Sequence, residues 1–123
     1  MRPLWWMLTL AYCAFIFWMS SGPAPLPKPM SLFGMDKLLH AGAYGVLACI
    51  VLAGMRRSGR GWGRPALFLL PLLFASLYGV TDEIHQYFVP TRQFDPFDAL
   101  ANAFGAALAA GAGLFLPMPR RSG

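Results

Sequence analysis

The chain has 123 residues, enough for one domain, and its 57% hydrophobic and 12% charged content excludes an ordinary soluble fold. A soluble domain carries about 25% charged residues, and a chain this short could not enclose so much apolar surface within an aqueous shell. The net charge of +5 does not point to nucleic acid either, because the basic residues sit in short clusters at the ends of apolar runs.

Crossing the hydrocarbon core of a bilayer takes about 20 mostly apolar residues in a helix. The first such run predicts a helix over about 4–20, with Trp5, Trp6 and Trp18 as interfacial anchors. It stops at Ser21-Gly22-Pro23, and Pro23, Pro25, Pro27 and Pro29 enforce an extended linker. Ser20 and Gly22 would suit signal-peptide cleavage, but proline follows at once and only Arg2 marks a basic start, so a retained helix is expected. The second helix is predicted over about 36–55, ended by Arg56, Arg57, Arg60 and Arg64. The third spans about 65–87, opening on Pro65 at a favourable first-turn position and carrying Pro71 inside, where a kink is expected. The fourth spans about 97–118, closed by Pro117, Pro119, Arg120 and Arg121. Cys13 and Cys49 fall in mid-run without a CxxC spacing and read as small apolar residues. The expected fold is therefore all-α: one domain, 1–123, forming a four-helix transmembrane bundle.

Direction follows from the charges. With four spans both ends lie on one side, together with Arg2, the four arginines at 56–64, Arg120 and Arg121, and with no acidic residue. The opposite side holds Lys28, Lys37 and Arg92 against Asp36, Asp82, Glu83, Asp95 and Asp98. The positive-inside rule puts both termini in the cytoplasm and all five acidic residues on the outer side of a multi-pass protein of the cell's inner (plasma) membrane.

The fourth helix carries Ala101, Gly105, Ala109 and Gly113 at four-residue spacing. Small residues so spaced let helix backbones approach closely in lipid, where hydrophobicity does not drive association. Packing within the chain is the first expectation; a homo-oligomer through the same face is the second.

Ionisable groups just inside a bilayer are costly and need a reason. Asp36 and His40 share a face at the outer end of the second helix, with Tyr44 one turn deeper. Glu83 and Gln86 are three apart on the third helix, and Asp98 and Asn102 four apart on the fourth. At 1.5 Å per residue His40 and Asn102 lie about 6 Å below the outer starts of their helices, and Glu83, about 27 Å from Pro65, lies near the outer boundary, so the three pairs fall in one layer. The following loop adds Arg92. Singly these could be caps or packing residues; together they suggest a functional cluster, with Asp82 and His85 left facing water or headgroups. The chemistry such a cluster supports is acid/base work, with His40 oriented by Asp36, Glu83 as a second carboxylate, and Arg92 clamping an anionic headgroup. Asp36, His40, Glu83 and His85 include metal-binding donor types, but no zinc spacing such as HExxH occurs, so neither metal nor cofactor is expected.

These blocks, Asp36-Lys37-Leu38-Leu39-His40 with Tyr44, Asp82-Glu83-Ile84-His85-Gln86, Val89-Pro90-Thr91-Arg92, and Asp98 to Asn102 with Gly105, resemble the VanZ-like membrane protein family. That family is named for a protein associated with resistance to the glycopeptide teicoplanin. Its pattern is roughly DKxxH, ExxQ, PxR and DxxxNxxG in the same order, and it covers about residues 36–113 here. Thr91 stands where a glycine is common, and His85 where an aliphatic residue is common. The resemblance implies a multi-spanning cell-envelope protein, with a link to glycopeptide response, whose matching residues are Asp36, His40, Glu83, Gln86, Arg92, Asp98 and Asn102. Taken with the cluster, it leads to an expected outer-leaflet site for a membrane lipid. Asp36, His40 and Glu83 are its candidate catalytic groups, and Gln86, Arg92, Asp98 and Asn102 its candidate ligand-binding groups. The ligand would be an anionic envelope lipid or a lipid-linked cell-wall intermediate, with no nucleic acid involved. The alternative is a non-catalytic membrane scaffold.

Overall fold

The computed structural model describes residues 3–22, 35–58, 60–90 and 96–116, the side chains of Met35 and Asp36 excepted. Among them the chain is all-α: α1 (Pro3–Ser20), α2 (Met35–Arg56), α3 (Arg64–Tyr87) and α4 (Pro96–Gly113). The turn between α2 and α3 uses Gly61 at a φ of 67°, a left-handed conformation open to glycine at little cost. Gly63 then leads in extended, Pro65 occupies the first turn of α3, and the helix runs on through Pro71.

Successive helices run antiparallel, which the contacts at the two ends make plain. At one end the Arg57 guanidinium lies 5.1 Å from the Trp5 ring centroid, joining the start of α1 to the end of α2. Arg56 donates to the carbonyls of Gly113 at 3.0 Å and Leu116 at 2.8 Å where the chain leaves α4, the Gly113 carbonyl also accepting from the Leu116 N–H at 3.2 Å. At the other end α1 is fastened to α3: His85 stacks on Phe17 with ring centroids 4.4 Å apart, and the Ser21 hydroxyl, which donates to the Phe17 carbonyl, accepts from His85 Nε2 at 3.0 Å. In mid-bundle the Tyr12 hydroxyl donates to the Ala43 carbonyl at 2.7 Å, and the Tyr78 hydroxyl donates to the Cys13 carbonyl.

The closest packing is between α2 and α4. Gly105 rests on the Ala41 backbone so tightly that a Cβ at 105 would collide with the Ala41 carbonyl. A Cβ at Gly45 would stand 3.2 Å from the Gly105 carbonyl oxygen and 3.6 Å from the Ala109 side chain, and Gly113 faces Leu52. The small-residue face of α4 is thus packed against α2 within the chain. α3 packs on both α2 and α4, while α1 touches only α2 and α3. The core is thin: Ile16, Tyr44, Leu47, Ala48, Ala75 and Ala106, with a second group of Val51, Leu52, Met55 and Leu67 toward the arginine end. The periphery is apolar throughout, with Leu10, Phe15, Leu73, Leu77 and Phe104 all exposed.

α1, α2 and α3 are long and apolar enough to cross a membrane. α4, 18 residues long with Asp98 and Asn102 in its first two turns, is not among them. It also stops at Gly113 rather than near 118, and the chain turns through Leu114, Phe115 and Leu116. The physical reason is local: Pro117 disfavours helical geometry in the residue before it, and Arg56 takes over the terminal carbonyls.

Overpacking gives a direct test. Gly105→Ala should lower bundle stability by about 1–3 kcal/mol, measured by thermal unfolding in detergent. Gly42→Ala, where a Cβ would meet nothing within 4 Å, should leave it unchanged or slightly raised.

Candidate functional site

The end of the bundle away from the arginines is where three helices bring polar side chains inward. His40 lies about 7 Å of helix rise from the start of α2, Glu83 about 6 Å from the end of α3, and Asn102 about 9 Å from the start of α4. Each helix is apolar on its outer face here, through Leu39, Ile84 and Leu100, so the polar groups point at one another rather than at the periphery.

His40 is the meeting point. Its Nδ1 is 3.1 Å from Asn102 Oδ1. An amide oxygen only accepts, so Nδ1 carries the hydrogen and donates. Its Nε2 stands 3.5 Å from Asp98 Oδ2, and its Nδ1 is 4.0 Å from Glu83 Oε1. The other Asp98 oxygen accepts from Lys37 Nζ at 2.6 Å. Exposure falls from the rim inward: the Lys37 side chain is 33% accessible, His40 16%, Asp98 9% and Glu83 1%. The two cationic or protonatable groups are therefore the more accessible ones, and the carboxylates they face are buried. Asn102 is fully buried, and its amide nitrogen has no hydrogen-bond partner among the described residues. Gly79 makes room for it, since a Cβ there would stand 3.0 Å from Asn102 Nδ2 and 3.4 Å from the Tyr44 ring.

The structure brings together His40, Glu83, Asp98 and Asn102. Gln86 is buried, but its amide nitrogen donates to Asp82 Oδ2 at 3.3 Å, one turn back on its own helix. Arg92 and the side chain of Asp36 lie outside the described residues. Two expectations are corrected. Asp82 does not face water: it is buried, because α3 turns a continuous stripe of Pro71, Ala75, Gly79, Asp82 and Gln86 to the interior. His85 does not face water or headgroups either, being held against α1 by Phe17 and Ser21. The group missed from the sequence is Lys37. Its signal was its position three residues before His40, which puts both on one face of α2. One imidazole nitrogen of His40 and one carboxylate oxygen each of Glu83 and Asp98 lie within 4.8 Å of one another. Of the donors the sequence suggested, His40 and Glu83 belong to this set and Asp98 joins them; His85 is held against α1, and the Asp36 side chain lies outside the described residues.

A family model described as VanZ/LLP1 matches residues 4–117. The chain belongs to the VanZ/LLP1 family. It is a VanZ-like membrane protein, and the match includes α1, which carries none of the motif blocks. No curated protein and no solved structure matches the chain. The polar cluster of this VanZ-like chain coincides with three of the motif blocks, DKxxH on α2, ExxQ on α3 and DxxxN on α4.

Removing the acceptor from His40 should be costly. Asn102→Ala leaves a largely buried imidazole N–H without its partner, and should destabilise the bundle by about 1–3 kcal/mol. Leu100→Ala, on the exposed face of the same helix, should cost well under half as much in the same unfolding assay.

Proposed function

We propose that this VanZ-like protein binds an anionic envelope lipid, or a lipid-linked cell-wall intermediate, at the outer leaflet of the cell's inner (plasma) membrane. The observation that carries the reading is a pair of partly accessible cationic or protonatable groups, Lys37 and His40, facing the buried carboxylates of Glu83 and Asp98 in an apolar-coated bundle. Cations at headgroup depth attract phosphate or carboxylate, and charged groups this deep in a membrane protein mark sites more often than surfaces. Arg92, in the loop after α3, would clamp the headgroup. His40, with Glu83 within 4.0 Å, would accept or return a proton if the lipid is processed as well as held. In this reading α4 is a fourth span and both termini are cytoplasmic, with Arg56, Arg57, Arg60 and Arg64 on the inner side. A role in glycopeptide response would follow from handling a cell-wall intermediate.

The second reading is a non-catalytic scaffold. It is favoured by the pairing of the cluster within the chain, Lys37 with Asp98 and His40 with Asn102, which would pin α2 to α4 without any ligand.

Mass spectrometry of lipid co-purified in mild detergent separates the two. Arg92→Ala and His40→Ala proteins that remain folded should retain at least about tenfold less anionic lipid than the parent, a loss of about 1.4 kcal/mol in affinity. Equal retention by folded variants would sink the lipid reading, whereas collapse of the bundle on His40→Ala would favour the scaffold. Topology is checked separately: Val89→Cys should react with an impermeant thiol reagent in intact cells, and Ser58→Cys only after permeabilisation.

A further inference from the structure

With a neutral His40 ring, two acceptors of the cluster face each other. Because Nδ1 of His40 donates to Asn102 Oδ1, neutral His40 keeps its lone pair on Nε2. That lone pair is 3.5 Å from Asp98 Oδ2, which is itself an acceptor. The other oxygen of Asp98 is engaged by Lys37, so Oδ2 is the oxygen left toward the imidazole. Two acceptors so placed repel unless a positive charge sits between them. A ring N–H donated to a carbonyl, with the opposite nitrogen directed at a carboxylate, is also how a metal-ligating histidine is normally oriented. Glu83 supplies the third donor, its Oε1 4.0 Å from Nδ1. One ring nitrogen and one oxygen of each carboxylate lie within 4.8 Å of one another, so Glu83 swings toward the Nε2 side to share the ion.

We infer that His40, Glu83 and Asp98 bind one divalent transition-metal ion, Mn²⁺ or Zn²⁺, between α2, α3 and α4. One imidazole and two carboxylates are a borderline-to-hard donor set that suits these ions. Two ligands on a tetrahedral ion at about 2.1 Å stand about 3.4 Å apart, so the donors close by roughly 1 Å through side-chain rotation. Three protein ligands leave coordination positions open. The fully buried Asn102, whose Oδ1 accepts from Nδ1–H, fixes the ring so that Nε2 is left for the ion, and an oxygen from outside the chain would fill an open position. On the headgroup reading of the site, that oxygen belongs to a lipid phosphate; the ion itself requires no lipid. Lys37 is a competitor, holding one carboxylate oxygen of Asp98 with its own charge.

The test is metal binding by the full-length protein in detergent, stripped with EDTA and delipidated. Zn²⁺ is titrated by calorimetry and Mn²⁺ by electron paramagnetic resonance. One equivalent per chain is expected, lost in Glu83→Gln and His40→Ala variants that keep their helical circular dichroism. Lys37→Gln, which alters the rim and not the core, should tighten Mn²⁺ binding by about tenfold, since a unit positive charge a few ångströms away is removed. No stoichiometric binding by the parent overturns the inference, as does a Lys37→Gln variant that binds no more tightly. Lipid retention is measured alongside, with and without Mn²⁺. Metal bound without any anionic lipid retained upholds the ion and sinks the headgroup reading. Lipid retained by a protein that binds no metal does the reverse, and a proton on His40 Nε2 then occupies the gap.

Discussion

The approach of α4 to α2 is the constraint from which the site follows. Gly105 lies on the Ala41 backbone with no room for a single additional carbon, and Gly45 and Gly113 continue the contact along the same seam. In lipid, such an interface is held by dispersion and weak polar contacts, since apolar surface gains nothing by leaving a hydrocarbon solvent. Its geometry is consequently sharp, because only backbones this close make those contacts worthwhile. One turn from Ala41 toward Met35 is Lys37, and one turn from Gly105 toward Pro96 is Asn102. The seam sets their heights, and so brings Lys37 to Asp98 and His40 to Asn102.

α3 contributes differently. Its inward stripe shrinks from Leu67 through Pro71 and Ala75 to Gly79 and then becomes polar at Asp82, Glu83 and Gln86. The small residues in mid-helix let Tyr44 and Asn102 fill the space that larger side chains would take. The polar residues beyond them are the price of having a site at all: burying carboxylates in an apolar bundle costs several kcal/mol unless partners are arranged in advance. His40, from α2, stands 4.0 Å from Glu83, and Lys37 holds Asp98 on α4. α1 stands apart from this arrangement, bracing α2 and α3 through Tyr12, Tyr78 and the His85–Ser21 contact without reaching α4.

The two ends of the bundle handle the helix termini in opposite ways. At the arginine end, guanidinium groups from α2 and α3 reach the last carbonyls of α4, so positive charge meets the negative end of a helix dipole. At the other end the first turn of α4 carries Asp98, a carboxylate at the positive end of the same dipole. The charge asymmetry that orients a chain in a membrane is therefore also one that suits the dipole of its fourth helix.

Length, apolar runs and proline punctuation were enough to read four helices from the sequence, because a helix in lipid must satisfy its own backbone whatever surrounds it. The separation of charge was legible in part: Asp82, Glu83 and Asp98 lie at the end of the bundle away from Arg56, Arg57 and Arg64, since charge order along a chain of alternating direction maps onto the two ends. Residue spacing of three and four also placed His40, Glu83, Asp98 and Asn102 at similar depth. Spacing tells which residues share a face of one helix, but not which way that face is turned nor which helix it meets. Hence the sequence left Asp82 facing water when α3 is rotated to bury it, and passed over Lys37, whose importance comes from Asp98 sixty-one positions away. It also sent His85 to the periphery, where the nearness of Phe17 and Ser21 on α1 holds it instead. Those are distances of 3–4 Å between separate helices, and they depend on the rotation and offset that the glycine seam imposes. Local sequence determined what each helix carries and how deep; only the packed bundle decided that His40 would stand between Glu83 and Asp98.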